Sequence, residues 1–317
     1  MNIPIGIACL VVTRRFVAES RDPDAHGIDW AGQATLSTGL LLLVLALLRG
    51  NEQGWTSTPI VAELIGAAVA LAAFVAIEQR VAGPMLPLRF FRDRSFTGAQ
   101  IAAFAISASF FAIFLYTTIY LQQILGLSSI EAGLAYLPGT LLMLVVSGAT
   151  ASLGAKIPAR VMVGGGLGLV AAGMALFMLT EADSSWTVIL PGLLVASAGT
   201  GLFNPALTNV ALGSVPPERS GVAAGVNDTY RQAGIAVGVA ALGALIPAEH
   251  ALGGGDPQAY VNGLHDALLA GGILAAVGAI AAYTLISKSY GAAAEAPAED
   301  SAVEPPAIIA KPAFEAA

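Results

Sequence analysis

The stretch "GVAAGVNDTYRQAGIAVGVA", residues 221–240, sets Asn227, Asp228 and Arg231 in a run of glycine, alanine and valine. On a helix, residues three apart are neighbours, so Asp228 and Arg231 are close enough to pair. A carboxylate beside a guanidinium can exchange a proton, hold a polar solute, or neutralise its partner. A cation deep in hydrocarbon costs from about 3 to more than about 10 kcal/mol, so it faces protein or a water-filled cavity. Two readings follow. In one, the three residues line a polar pathway and Asp228 is its protonatable group. In the other, Arg231 snorkels towards the cytoplasmic headgroups and Asp228 is only its counter-ion. In both, the two charges neutralise each other inside a bundle.

Other polar residues sit in apolar surroundings. Tyr116, Tyr120, Gln122 and Gln123 cluster at one end of an apolar block. Aromatic faces attract cations, so Tyr116 and Gln122 are candidates to line a cavity for amphipathic cations. Tyr120 fits better in an interfacial aromatic belt. Asn204 precedes Pro205 where a helix is expected to break, and serves either a site or the freed backbone. Glu63 reads as an interfacial residue. His26, His250 and His265 lack metal-ligand spacing. "GLGLVA" (166–171) matches a loose dinucleotide fingerprint but has no preceding strand and no acid downstream, so helix packing explains it. The sequence has no Ser/His/Asp arrangement or HExxH motif, which disfavours an enzyme.

The elements that carry these residues follow from composition. Of 317 residues, 56% are hydrophobic and only 11% charged, with mean hydropathy +0.76. Soluble domains usually carry about 25% charged residues. Apolar blocks of roughly 18 to 26 residues match a hydrocarbon core about 30 Å thick. These features define an all-α polytopic membrane protein; a β-barrel would alternate in segments of about ten. The blocks fall at about 3–12, 31–48, 60–78, 97–121, 131–153, 160–180, 187–212, 221–247 and 264–286. All but the first are long enough to span. The first, with about 15 Å of helix, reads as the last half of a helix that begins earlier.

Twelve Lys and Arg residues fall on one side if the loop after the first block is cytoplasmic, and only Arg49 falls on the other. The C-terminus is then cytoplasmic, and its Ala/Pro/Glu tail, 291–317, is expected to be disordered. A single cysteine, Cys9, excludes an intramolecular disulfide. Basic residues are not interleaved with aromatics, so nucleic acid is not an expected partner. Gly221 and Gly225, like Gly234 and Gly238, are four apart and lie on nearly opposite faces, so their helix is expected to pack tightly on both sides. Pro138 and Asn204-Pro205 are expected to interrupt their helices.

Five stretches in order then point to a family: "MNIPIG" with "RRFVAESRDPDAHGIDWAG"; "GNEQGW"; "PMLPLRFFRDRSF"; "TTIYLQQILGLSSIEAGLAYLPG"; and "SVPPERSGVAAGVNDTYRQAGIAVGVA". Together they resemble the fourteen-helix drug:proton antiporter branch of the major facilitator superfamily, over residues 1 to about 286. The resemblance implies two six-helix bundles joined by two extra helices. Residues 1–30 then correspond to the end of a truncated N-terminal bundle and a cytoplasmic loop. Residues 31–95 correspond to the two linker helices with a loop, and 96–290 to the C-terminal bundle. The first five helices, with the family's first loop motif, fourth-helix arginine and fifth-helix signature, have no counterpart here. "SLGAKIPAR" is a degenerate version of the second-half loop motif. The resemblance further implies proton-coupled efflux of small amphipathic molecules across the cell membrane, no cofactor, and a substrate path through Asp228, Arg231, Asn227, Tyr116, Gln122 and Asn204. The partners it implies are the lipid bilayer, a small molecule and protons. A truncated, non-transporting scaffold, or a half-transporter needing an N-terminal partner or self-association, is the alternative.

Overall fold

In the computed structural model, residues 2–16, 27, 29–81, 83–154, 156–216, 219–247 and 256–287 are described. The tail, His26 and His250 lie outside them. Among the described residues the chain is helical with no strand. The helices are α1 (Asn2–Phe16), α2 (Trp30–Gln53), α3 (Thr58–Glu78), α4 (Arg94–Ile106) and α5 (Ala112–Ile119). They continue with α6 (Ser129–Leu153), α7 (Ala159–Phe177), α8 (Leu190–Gly213), α9 (Ser220–Gly243) and α10 (Pro257–Leu285). α4 and α5 belong to one span, Arg94–Ile124, containing π turns at Ser107–Phe111 and Tyr120–Ile124.

Polar caps start the helices where apolar runs begin. Asp93 accepts from Ser95 N and Phe96 N at 2.7 and 3.0 Å. Ser128 and Glu131 form a capping box at the start of α6, and Asp256 caps α10 ahead of Pro257. Each satisfies N–H groups that have no partner within the helix. Among the described residues, seven segments are long and apolar enough to cross a membrane. α9, the eighth expected span, has 24 residues, but its central Asn-Asp-Thr-Tyr-Arg-Gln leaves it outside that set. α1 extends the expected first block to 15 residues, about 22 Å. Its apolar side chains, including Ile5, Leu10 and Phe16, are exposed.

α2 and α3 form an antiparallel hairpin that meets the bundle at α9. At one end of the hairpin Arg49 and Glu63 form an ion pair, so Glu63 joins the two helices where the hairpin turns. The bundle core is built on small residues. A Cβ on Gly166 would lie 2.6 Å from Gly199 O, and one on Gly173 2.7 Å from Ala196 Cβ, so α7 and α8 touch through backbone. Gly166 belongs to the "GLGLVA" stretch, whose role is therefore packing. Large apolar side chains such as Leu144, Val145 and Ile280 point outwards, as lipid-facing positions do.

Neither internal proline interrupts its helix: α6 runs through Pro138 and α8 through Pro205. Pro205 has no N–H to offer Gly201 O, four residues earlier. Thr150 Oγ1 on α6, which donates to Val146 O at 2.8 Å, also lies 3.3 Å from that carbonyl and shares its hydrogen with it. A neighbouring hydroxyl thus keeps the helix continuous.

Candidate functional site

α9 carries the charged centre. Arg231 lies at its midpoint, roughly 17 Å from either end, and is half-buried. Its Nη1 donates to Asn204 Oδ1 on α8 at 3.2 Å. Its guanidinium also stands 5.7 Å from the ring centroid of Phe111, in the first π turn. The side chain is therefore held across the bundle at mid-span, not extended along α9 to headgroups. Asn204 Nδ2 donates to Thr200 O at 3.2 Å, which fixes the amide with its oxygen towards Arg231.

One turn earlier, on the same face of α9, Asn227 Nδ2 donates to Gln100 Oε1 at 3.2 Å. Gln100 is fully buried on α4. Its Nε2, and Ser107 Oγ on the same span, are buried without hydrogen-bond partners among the described residues. This side of α4 therefore offers polar groups with unused capacity inside an apolar bundle, where each costs free energy unless something satisfies it.

Asp228 is not part of this arrangement. It is exposed, and the only ion pair among the described residues is Arg49–Glu63. The expected neutralisation of Arg231 by Asp228 is overturned: Arg231 turns to α8, and Asp228 faces outwards with Gly221, Gly225 and Gln232, all exposed. The expectation of tight packing on both sides of α9 fails for the same reason. A Cβ on Gly234 would lie 2.7 Å from Phe104 O, and one on Gly238 would collide with the Ala108 backbone, but Gly221 and Gly225 meet nothing within 4 Å.

Tyr116 does join α9, through structure. Its hydroxyl donates to Val239 O, and its own carbonyl accepts from Tyr260 Oη at 2.7 Å. Tyr120 is fully buried and donates to Glu181 O at 2.7 Å, so it pins the 178–185 connection and stands apart from any membrane belt. Gln122, half-buried in the second π turn, bonds to none of the other candidates. His265 Nε2 lies 2.9 Å from Thr180 O. Among the described residues no three His, Cys, Asp or Glu side chains converge. A separate apolar groove of about 670 Å³ lies between the hairpin and the bundle, lined by Leu40, Phe74, Met85, Phe91, Gly225 and Tyr230 among others. Neither Asn227 nor Arg231 lines it.

Gln100 and Phe111 are the partners that sequence reasoning missed. Gln100 had a signal: an amide in the apolar run "TGAQIAAFAI" needs a buried partner. Phe111 had none, because its place beneath Arg231 depends on the π turn.

Comparison with known proteins agrees with this architecture. The Major Facilitator Superfamily pattern matches residues 23–239. Multidrug resistance protein Stp of Mycobacterium tuberculosis is 34% identical over 251 residues, which are 78% of this chain and 46% of Stp. Methylenomycin A resistance protein of Streptomyces coelicolor is 29% identical over 91% of this chain and 59% of its own length. Multidrug efflux pump LfrA of Mycolicibacterium smegmatis is 29% identical over 78% and 49%, respectively. The chain thus spans about half the length of the curated relatives it matches. With its helical spans and a pattern match over more than half its residues, this chain belongs to the Major Facilitator Superfamily.

Proposed function

We propose that the chain is the C-terminal part of a proton-coupled exporter of drugs or other small amphipathic molecules, of the fourteen-helix type. It acts in the cell membrane with its C-terminus cytoplasmic. α2–α3 is the linker hairpin, and α4–α10 the second bundle. The observation that carries this is Arg231, held at the middle of α9 by Asn204 and Phe111. Such a costly residue persists in a span where a path needs it. The relatives' names, resistance protein and efflux pump, support the same function. Arg231, Asn204, Asn227 and Gln100 then form the polar wall of the path, with spare capacity at Gln100 and Ser107 for a solute. Tyr116 fixes that wall to α5, and Gln122 lies towards its far mouth.

A second reading concerns assembly. The open face of α9, with Gly221, Asp228 and Gln232, is polar and small in a segment that lipid would otherwise surround. We infer that a second bundle covers it, either a separately supplied N-terminal half or another copy. Asp228 is then the protonatable group at that junction.

The test is export of a lipophilic cationic dye from efflux-deficient cells that express the chain, alone and with an N-terminal half from a relative. Export abolished by a protonophore is expected in at least one arrangement. Arg231→Ala is expected to lower the rate about tenfold or more, since a charge-assisted hydrogen bond contributes roughly 1.5–3 kcal/mol. Dye retention in both arrangements, with the protein present in the membrane, refutes the proposal.

A further inference from the structure

Two carboxylates meet at the end of the hairpin opposite Arg49–Glu63. Asp29, 8% exposed, caps α2, and its Oδ1 accepts from Gly32 N at 2.8 Å. Glu78, 4% exposed, is the last residue of α3, and its Oε2 accepts from Leu86 N at 3.1 Å. Each carboxylate thus has one oxygen committed to a backbone amide. The other two, Asp29 Oδ2 and Glu78 Oε1, are both buried without a hydrogen-bond partner among the described residues. They converge on Gly32: a Cβ there would lie 2.4 Å from Asp29 Oδ2 and 3.0 Å from Glu78 Oε1.

Two ionised carboxylates whose free oxygens both approach the same point, away from water, repel each other at a large cost. Among the described residues no cation pairs with either. Arg49, Glu52 and Glu63 stand at the other end of the hairpin, and Arg80 is exposed. Arg89 and Arg92 of the adjoining 3₁₀ turn make no ion pair with the two acids, and neither does Arg231 on α9, which packs on α2. Asp228, also on α9, would only add negative charge, and it is exposed. A hydrogen shared between the facing oxygens removes the repulsion and satisfies both.

Local dipoles decide which group carries it. Asp29 caps the N-terminus of α2, where its Oδ1 is taken up by the Gly32 N–H. Glu78 sits at a helix C-terminus, where negative charge is disfavoured. We propose that Asp29 and Glu78 hold one proton between them, Glu78 Oε1–H donating to Asp29 Oδ2. The pair is a protonation site separate from the polar wall around Arg231. It ties together three segments: the start of α2, the end of α3 and, through Leu86, the connection that leads to α4. Loss of the proton sets two anions against each other at that junction and loosens it. The pair holds its proton whether or not the chain moves a substrate.

The full chain, purified in detergent, tests this by infrared spectroscopy and thermal unfolding across a pH titration. A carboxylic-acid C=O band is expected in the wild type at neutral pH and is expected to be missing from both Glu78→Gln and Asp29→Asn. The folded state binds one more proton than the unfolded state near neutrality, so wild-type stability falls as pH rises through the titration. Glu78→Gln keeps an N–H donor for Asp29 and has no proton to lose, so that dependence flattens. If one amide variant fails to fold, the other assigns the band; if both fail, the wild-type band and its loss in step with stability decide. Absence of the band at neutral pH, or its persistence in a folded variant, overturns the proposal. Neutral-pH stability that rises with added sodium or magnesium also overturns it, because a bound cation then does the proton's work.

Discussion

Gly234 and Gly238 press α9 against Phe104 and Ala108, while Gly221 and Gly225, at the same spacing on the same helix, meet nothing within 4 Å. Gly234 and Gly238 face the π-turned span and are buried, whereas Gly221 and Gly225 are exposed beside Asp228. Identical spacing therefore reports a helix able to be approached closely, not one that is approached. What separates the two faces is their neighbours. One pair meets a backbone already in the bundle; of the other, Gly221 is exposed and Gly225 lines the groove beside the hairpin without touching it.

Substitutions can break or sharpen this contrast. Gly238→Val forces two methyl groups into the Ala108 backbone, and overpacking of this kind costs about 3 kcal/mol. Loss of monodisperse protein in detergent, or a large fall in unfolding temperature, is the expected result. Thr150→Val removes the hydroxyl shared between Val146 O and Gly201 O, and should cost about 1 kcal/mol. α8 is the element expected to loosen, read as faster hydrogen exchange around Gly201. Tyr116→Phe deletes the bond to Val239 O and should cost about 1 kcal/mol in thermal unfolding. Gly225→Val, on the open face, should change stability by less than about 0.5 kcal/mol. If Gly225→Val destabilises the chain as much as Gly238→Val does, the open face is covered and the contrast fails.

The spans were legible because lipid imposes length and hydropathy, and hydrogen-bonded helix is the economical way to fill them. Boundaries shifted where polar caps, as at Asp256, started a helix before its apolar run. The polar centre was legible as residues but not as pairs. Asn204, Asn227 and Arg231 stand out in sequence, yet spacing alone joined Arg231 to Asp228. The side chain instead crosses to α8, because a partner on another helix satisfies it inside the bundle. The prolines misled for a similar reason: Thr150 lies on a different helix from the carbonyl it serves.

The first π turn has a consequence for register. Residues 100 and 116 are sixteen apart, and at 100° per residue an unbroken α-helix would set them 160° out of phase. A π turn absorbs one extra residue. Fifteen effective steps bring them to about 60°, so Gln100 and Tyr116 can both address α9, at Asn227 and Val239. The turn acts as a phase corrector for the whole span. Deleting one residue within Ser107–Phe111 would convert it to plain α-helix without rotating either end. The same deletion at Phe114 would swing Tyr116 away from its carbonyl, so a chain that tolerates the first loss should not survive the second.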